Sequence, residues 1–265
     1  MLVGTLLRFA LAVAPSLALA QDSVVTPPVL APEVHRRAAV PFGFGERADY
    51  GVKYGPFSVG RASTEVFRLD TLRGREAWHI LFQVKGGVPG FRVDDRMESW
   101  MDTGTLASLR FRQDMNEGSH ERERIFEIYP DKGVFTEDQK EAQPTVNLPL
   151  DDGSFLYFIR TIPLEVGREY SFDRYFRPDR NPVRIQVLRK ETVNVPAGKF
   201  ETIVIRPIIK ARGVFSEGGR AEVWLTDDSR RLMVQMKTHM KLGSLSLFLR
   251  SFSPAKQLGD TASKD

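Results

Sequence analysis

The chain has 265 residues, with Lys+Arg 38 against Asp+Glu 34 for a formal net charge of +4, and 42% of it is hydrophobic. That length and balance support one sizeable core and exclude wholesale disorder, and an excess of +4 spread along the chain is no nucleic-acid footprint. Cys 0 excludes disulfide scaffolds, thiol catalysis, thiolate metal sites and a lipid-modified N-terminal cysteine.

Residues 1–20 read as a cleaved signal peptide. Arg8 is their one charge, an apolar run follows, and Ala18-Leu19-Ala20 offers the small residues a signal peptidase needs. Cleavage is predicted after Ala20, with export to the periplasm or beyond. Arg8 and Pro15 interrupt the stretch too early for a bilayer span of about 20 apolar residues, and no later helix is predicted to cross a membrane. Residues 21–41 carry Pro27, Pro28, Pro32 and Pro41, the composition of a semi-extended linker. One β-rich domain is expected over 42–253, followed by a polar, disordered tail at 254–265.

Within the domain, period two dominates. Tyr50, Val52 and Tyr54 alternate with Gly51 and Lys53, and Trp78, Ile80 and Phe82 alternate with His79, Leu81 and Gln83. The runs around Met97–Met101, Leu109–Arg112, Ile125–Tyr129, Val183–Val187, Ala221–Thr226, Leu232–Lys241 and Leu245–Phe252 follow the same rule. Such alternation marks antiparallel strands with one wet face. Lys85-Gly86-Gly87, Asp102-Thr103-Gly104, Asp131-Lys132-Gly133, Pro196-Ala197-Gly198 and Glu217-Gly218-Gly219 are predicted turns. One helix is expected, where Asp151, Asp152 or Ser154 can cap a segment carrying Phe155, Leu156, Phe158, Ile159 and Ile162 before Pro163 stops it. The predicted fold is therefore all-β and mainly antiparallel, a strongly curved sheet or open barrel with one short docked helix.

Chemistry is hard to find. No Gly-x-Ser-x-Gly elbow exists. His35, His79, His120 and His239 are too scattered for zinc, and Asp94-Asp95 and Asp151-Asp152-Gly153 offer too few oxygens for calcium. Glu121, Glu123 and Glu127 interleave with Arg122 and Arg124 and follow Arg110 and Arg112, which predicts cross-strand ion pairs rather than acid/base catalysis. No catalytic residue, metal or cofactor is expected. The apolar inside is the remaining candidate. Trp100, Phe155, Tyr157, Phe158 and Trp224 are the expected lining of a ligand site, with plain core packing as the competing explanation.

Several stretches, taken together, resemble a known family: Ala48-Asp49-Tyr50-Gly51-Val52, Asp152-Gly153-Ser154-Phe155-Leu156-Tyr157-Phe158-Ile159-Arg160, Val195-Pro196-Ala197-Gly198-Lys199-Phe200 and Ala221-Glu222-Val223-Trp224-Leu225-Thr226-Asp227-Asp228. They are similar to the bacterial exported-protein family catalogued as domain of unknown function 3108. That resemblance implies an exported β-rich protein and brings no catalytic residues. The Trp224-to-Asp228 stretch also bears a distant likeness to periplasmic lipoprotein carriers, which implies lipid as a ligand. At Met233 this chain departs from the expected Pro, so the strand can run on there. The expected function is a noncatalytic periplasmic module binding a lipid or another apolar or amphipathic envelope component. The alternatives are a structural or protein-interaction module with an envelope protein partner, and a hydrolase of unidentified site. A binding module predicts a cavity of roughly several hundred Å³.

Overall fold

The structure is a computed structural model that describes residues 40–210, 221–240 and 243–256. Among them, one mainly antiparallel sheet is built from β1 (Arg47–Tyr54), β2 (Phe57–Leu72), β3 (Arg75–Val88), β4 (Phe91–Asp102), β5 (Ser108–Glu117), β6 (His120–Tyr129), β7 (Val134–Glu137), β8 (Gln143–Pro144), β9 (Glu169–Phe172), β10 (Val183–Val195), β11 (Gly198–Ile208), β12 (Glu222–Thr226), β13 (Met233–Met240) and β14 (Gly243–Ser253). The spatial order is β8-β7-β6-β5-β4-β3-β2-β1-β14-β13-β12-β11-β10-β9. Two meanders are thus joined where β1 pairs with β14. The end strands β8 and β9 do not pair with each other. The one α-helix among the described residues, α1 (Asp152–Phe158), lies between them in sequence.

Alternation explains most of these strands, but the longest escapes it. The sixteen residues of β2 lose their period at a register shift between Val66 and Arg68, and a bulge of that kind moves later side chains to the other face. Further extra residues interrupt β14 at Arg250, β5 at Leu109, β10 at Leu188 and β13 at Val234. Each bends its strand and raises the local twist, and together they curl the sheet about α1.

Lys85-Gly86-Gly87, expected as a turn, instead lies inside β3; the chain reverses at Pro89-Gly90. Gly86 pairs with Gly60 of β2. A Cβ on Gly86 would sit 2.2 Å from the Val59 carbonyl oxygen, so these backbones approach more closely than any side chain permits. The Pro196-Ala197-Gly198 turn forms as expected, with Gly198 at φ +133°. β12 ends at Thr226 and β13 begins at Met233, with Asp228 accepting from the Arg230 N–H (3.0 Å) and the Thr226 hydroxyl (2.6 Å) between them. Glu217-Gly218-Gly219 and residues 1–39 lie outside the described residues.

Helix α1 follows from its cap. The Asp151 carboxylate accepts the Gly153 and Ser154 N–H groups at 2.8 and 2.9 Å, and the Ser154 hydroxyl accepts the Asp151 N–H at 2.9 Å. Seven residues are marginal as an isolated helix. Burial of Phe155, Tyr157 and Phe158 to 4% exposure or less supplies the missing stability, at about 1.5–3 kcal/mol per large side chain. Gly153 lets the first turn approach β4, since a Cβ there would sit 3.1 Å from the Ser99 Cβ.

Arg160, just after α1, binds Glu46 just before β1 at 2.5 Å, both side chains 6% exposed. It also donates to the Pro41 and Arg230 carbonyls at 2.8 and 3.1 Å. One guanidinium therefore holds the chain entering β1, the helix and the β12–β13 turn together. At the other end, the Lys256 N–H donates to the Phe44 carbonyl at 2.8 Å, so 254–256 run beside the entering chain.

Candidate functional site

Strand pairing decides which side chains face the helix. Ser99 of β4 donates to Asp151 at 2.7 Å, so its face is the inner one. Trp100, next in sequence, projects outward. There its ring stacks on His79 at 4.1 Å and its Nε1–H donates to Asp70 at 2.7 Å. Trp224 likewise lies between Val223 and Leu225, which face the helix, and its own Nε1–H donates outward to Glu191 at 2.5 Å. The five residues expected to line one site are therefore split. Phe155, Tyr157 and Phe158 pack inside, while both tryptophans are on the opposite face.

Beneath the helix little space remains. The gap bounded by Tyr50, Thr64, Leu156, Tyr157, Val223 and Met233 holds about 20 Å³, room for about one water. The several hundred Å³ expected of a binding module are absent from that place.

The inner face continues beyond α1. From Ser99 toward the hairpin rim, the same side of β4 carries Met97, Asp95 and Val93, which pair with Phe82, Val84 and Gly86 of β3. At about 3.4 Å rise per residue, the six steps from Ser99 to Val93 carry this face about 20 Å beyond the residue that holds the helix cap. Phe82, Val84, Met97 and Met115 are half-buried there, in contrast to the sealed layer below. One cross-strand row runs Phe82–Met97–Gln113–Arg124, apolar at one end and cationic at the other. Asp95 shares the surface; burial is the largest influence on it and pushes its carboxyl up to about 6, against the Asn116 N–H that bonds it at 3.0 Å. Amphipathic molecules match a surface of this kind.

On the outer face, His79 lies 2.7 Å from Glu98 and 3.2 Å from Asp70. The His79 hydrogen bond pulls the Glu98 carboxyl down to about 2, with help from Arg96. His79 is 3% exposed, with Phe67 edge-on at 5.7 Å and Trp100 stacked on it, so its imidazole is closed off from solvent. Two of the β6 glutamates pair across strands as expected: Arg112 with Glu123 at 2.8 Å and Arg110 with Glu127 at 2.5 Å. Among the described residues, no group of three or more His, Asp or Glu is arranged to hold a metal ion, and no helix is long and apolar enough to cross a membrane.

Phe82 and Met97 were legible as strand positions, but nothing in their spacing says where the helix stops covering them. Arg124 was read only as an ion-pair partner.

Comparison with known proteins agrees with this architecture. The family model described as "Protein of unknown function (DUF3108)" matches residues 49–250. No curated protein matches. Among solved structures, the chain is similar to a β-barrel-like protein of domain of unknown function DUF1849 from Brucella abortus, at 11% identity and a TM-score of 0.53 over 82% of this chain and 100% of that one. It is also similar to a protein of YmcC-like fold from Bacteroides fragilis, at 11% identity and a TM-score of 0.28 over 80% of this chain and 97% of that one. At 11% identity the Brucella likeness is one of fold.

Proposed function

The chain belongs to the DUF3108 family of proteins of unknown function, and we propose that it is a noncatalytic binding module of the cell envelope for an apolar or amphipathic molecule. The observation that carries this reading is the half-buried apolar layer of the inner face above α1, around Phe82, Val84, Met97 and Met115. A ligand that covers it gains about 25 cal/mol for each Å² of apolar surface removed from water, and the curved sheet already supplies the walls.

Native mass spectrometry of protein purified from its own periplasm tests the reading. A bound lipid-sized mass in the wild type, lost in Met97→Glu while the melting temperature holds, is the expected result. A bare wild-type mass, together with no uptake of added monooleoylglycerol, refutes it. Export is tested on the same sample: the mature N-terminus is expected at Gln21, and a retained Met1 overturns it.

One observation favours a second reading, an interaction module. Phe57 is 70% exposed at the β1–β2 tip, with Val88 at 50% and Phe91 at 47% on the β3–β4 tip at the same end of the sheet. Exposed apolar clusters commonly mark contact surfaces. A stable protein partner on the native protein, lost in Phe57→Ser, with no bound lipid-sized mass, selects this reading over the first.

A further inference from the structure

The inner-face row ends in charge. Arg124 follows Phe82, Met97 and Gln113 across the sheet. Arg177, in the segment after β9, comes to the same place: both guanidinium carbons lie 5.5 Å from the centre of the Phe126 ring. One carboxylate serves both, since Glu137 lies 2.8 Å from Arg177 and 3.9 Å from Arg124. Arg122 and Arg180 add to the positive field at Arg124. Arg180 is turned toward the Tyr175 hydroxyl at 3.2 Å, and that hydroxyl donates to Asp152 at 3.0 Å. The Nε–H groups of both Arg124 and Arg177 are shut off from solvent and have no acceptor.

Such an arrangement is costly in an empty protein. A buried donor without a partner costs about 1–3 kcal/mol, and more when charged. A second feature shows where an acceptor can arrive. Arg177 also lines an open groove of about 460 Å³ with Phe135, Pro144 and Pro178, and with Asp179 as its one acid. The paired guanidiniums thus stand between a groove and an apolar row. Planar forks of N–H donors match carboxylate and phosphate oxygens two at a time.

We propose that Arg124 and Arg177 hold the head of an anionic amphiphile, a carboxylate or phosphate oxygen pair whose alkyl chain lies along Met97 and Phe82. This inference deepens the binding reading and rests on it. Arg124 supplies the fork at the end of the row, Arg177 the fork on the groove side, and Phe126 holds both planes in place. The anion takes the Nε–H groups that Glu137 does not reach.

Isothermal titration of the purified protein with four probes tests it: oleate, monooleoyl phosphatidate, uncharged monooleoylglycerol and inorganic phosphate. At least one anionic amphiphile is expected to bind about tenfold or more tighter than monooleoylglycerol, and which one does so distinguishes carboxylate from phosphate. Arg124→Gln and Arg177→Gln are each expected to abolish that preference while leaving monooleoylglycerol binding within about twofold, and Arg124→Lys to restore part of it. Equal affinity for neutral and anionic amphiphiles overturns the head assignment and leaves the binding module standing. Inorganic phosphate binding as tightly as the amphiphiles overturns the role of the apolar row. Failure of all four probes removes the binding reading and this inference with it.

Discussion

Asp151 makes the most exposed forecast about stability, because its burial and its capping role pull in opposite directions. Its side chain is fully buried and accepts three hydrogen bonds, from the Gly153 and Ser154 N–H groups and the Ser99 hydroxyl. Burial nevertheless dominates and pushes the carboxyl from 3.8 to about 6. A folded-state value above the unfolded one means that the native protein holds this proton more tightly. Its contribution is therefore complete below about pH 4 and is lost as the pH rises through about 6. At about 1.4 kcal/mol per pH unit, the rise corresponds to at most about 3 kcal/mol. Asp151→Asn keeps one oxygen for the helix N–H groups and offers Ser99 a donor where it had an acceptor, a role the hydroxyl accommodates by turning. The variant is expected within about 1 kcal/mol of the wild type at pH 4 and more stable by about 1–3 kcal/mol at pH 8. Urea unfolding followed by far-ultraviolet circular dichroism at the two pH values measures the difference. Asp95, also raised to about 6, titrates in both proteins and cancels. A gap between variant and wild type that is the same at pH 4 and pH 8 refutes the reasoning.

Three further outcomes are expected. Arg160→Met strands the buried Glu46 carboxylate and costs about 3–5 kcal/mol in urea unfolding, whereas the double variant with Glu46→Leu recovers most of it; a single-variant loss under about 1 kcal/mol contradicts the pair's role. Gly86→Ala drives a methyl to 2.2 Å from the Val59 oxygen and lowers the melting temperature by more than about 10 °C, while Gly90→Ala, strained by φ +84° but with open space around it, costs about 1 kcal/mol; equal effects at the two sites exclude close backbone approach as the cause. Glu98, held at about 2, stabilises the fold fully above about pH 4.5 and loses that contribution as the pH falls toward 2. Glu98→Gln is therefore expected to flatten the acid side of the stability curve, and an unchanged acid limb counts against the His79 bond.

Local chemistry in the chain specified a good deal of this protein. Tyr50–Val52 and Val183–Val187 alternate as strands must. Asp151 caps, Gly198 turns, and Arg110 and Arg112 find the glutamates of β6. Each rests on contacts within a few residues or on the period of two, which a chain carries without knowing its neighbours.

Everything that depended on the phase between strands had to wait for the assembled sheet. Period two says that Trp100 and Ser99 face opposite ways, but only the Ser99–Asp151 bond says which of them is inside. Gly86 is an ordinary loop glycine until Gly60 is found opposite it. Phe82 and Met97 become a surface rather than core because α1 ends after seven residues, and Arg124 becomes their neighbour only across four strands. Alternation is a property of one strand. Which side is buried, and what is left uncovered on it, are properties of pairing register, of bulges that each reset the phase, and of how far a single helix reaches.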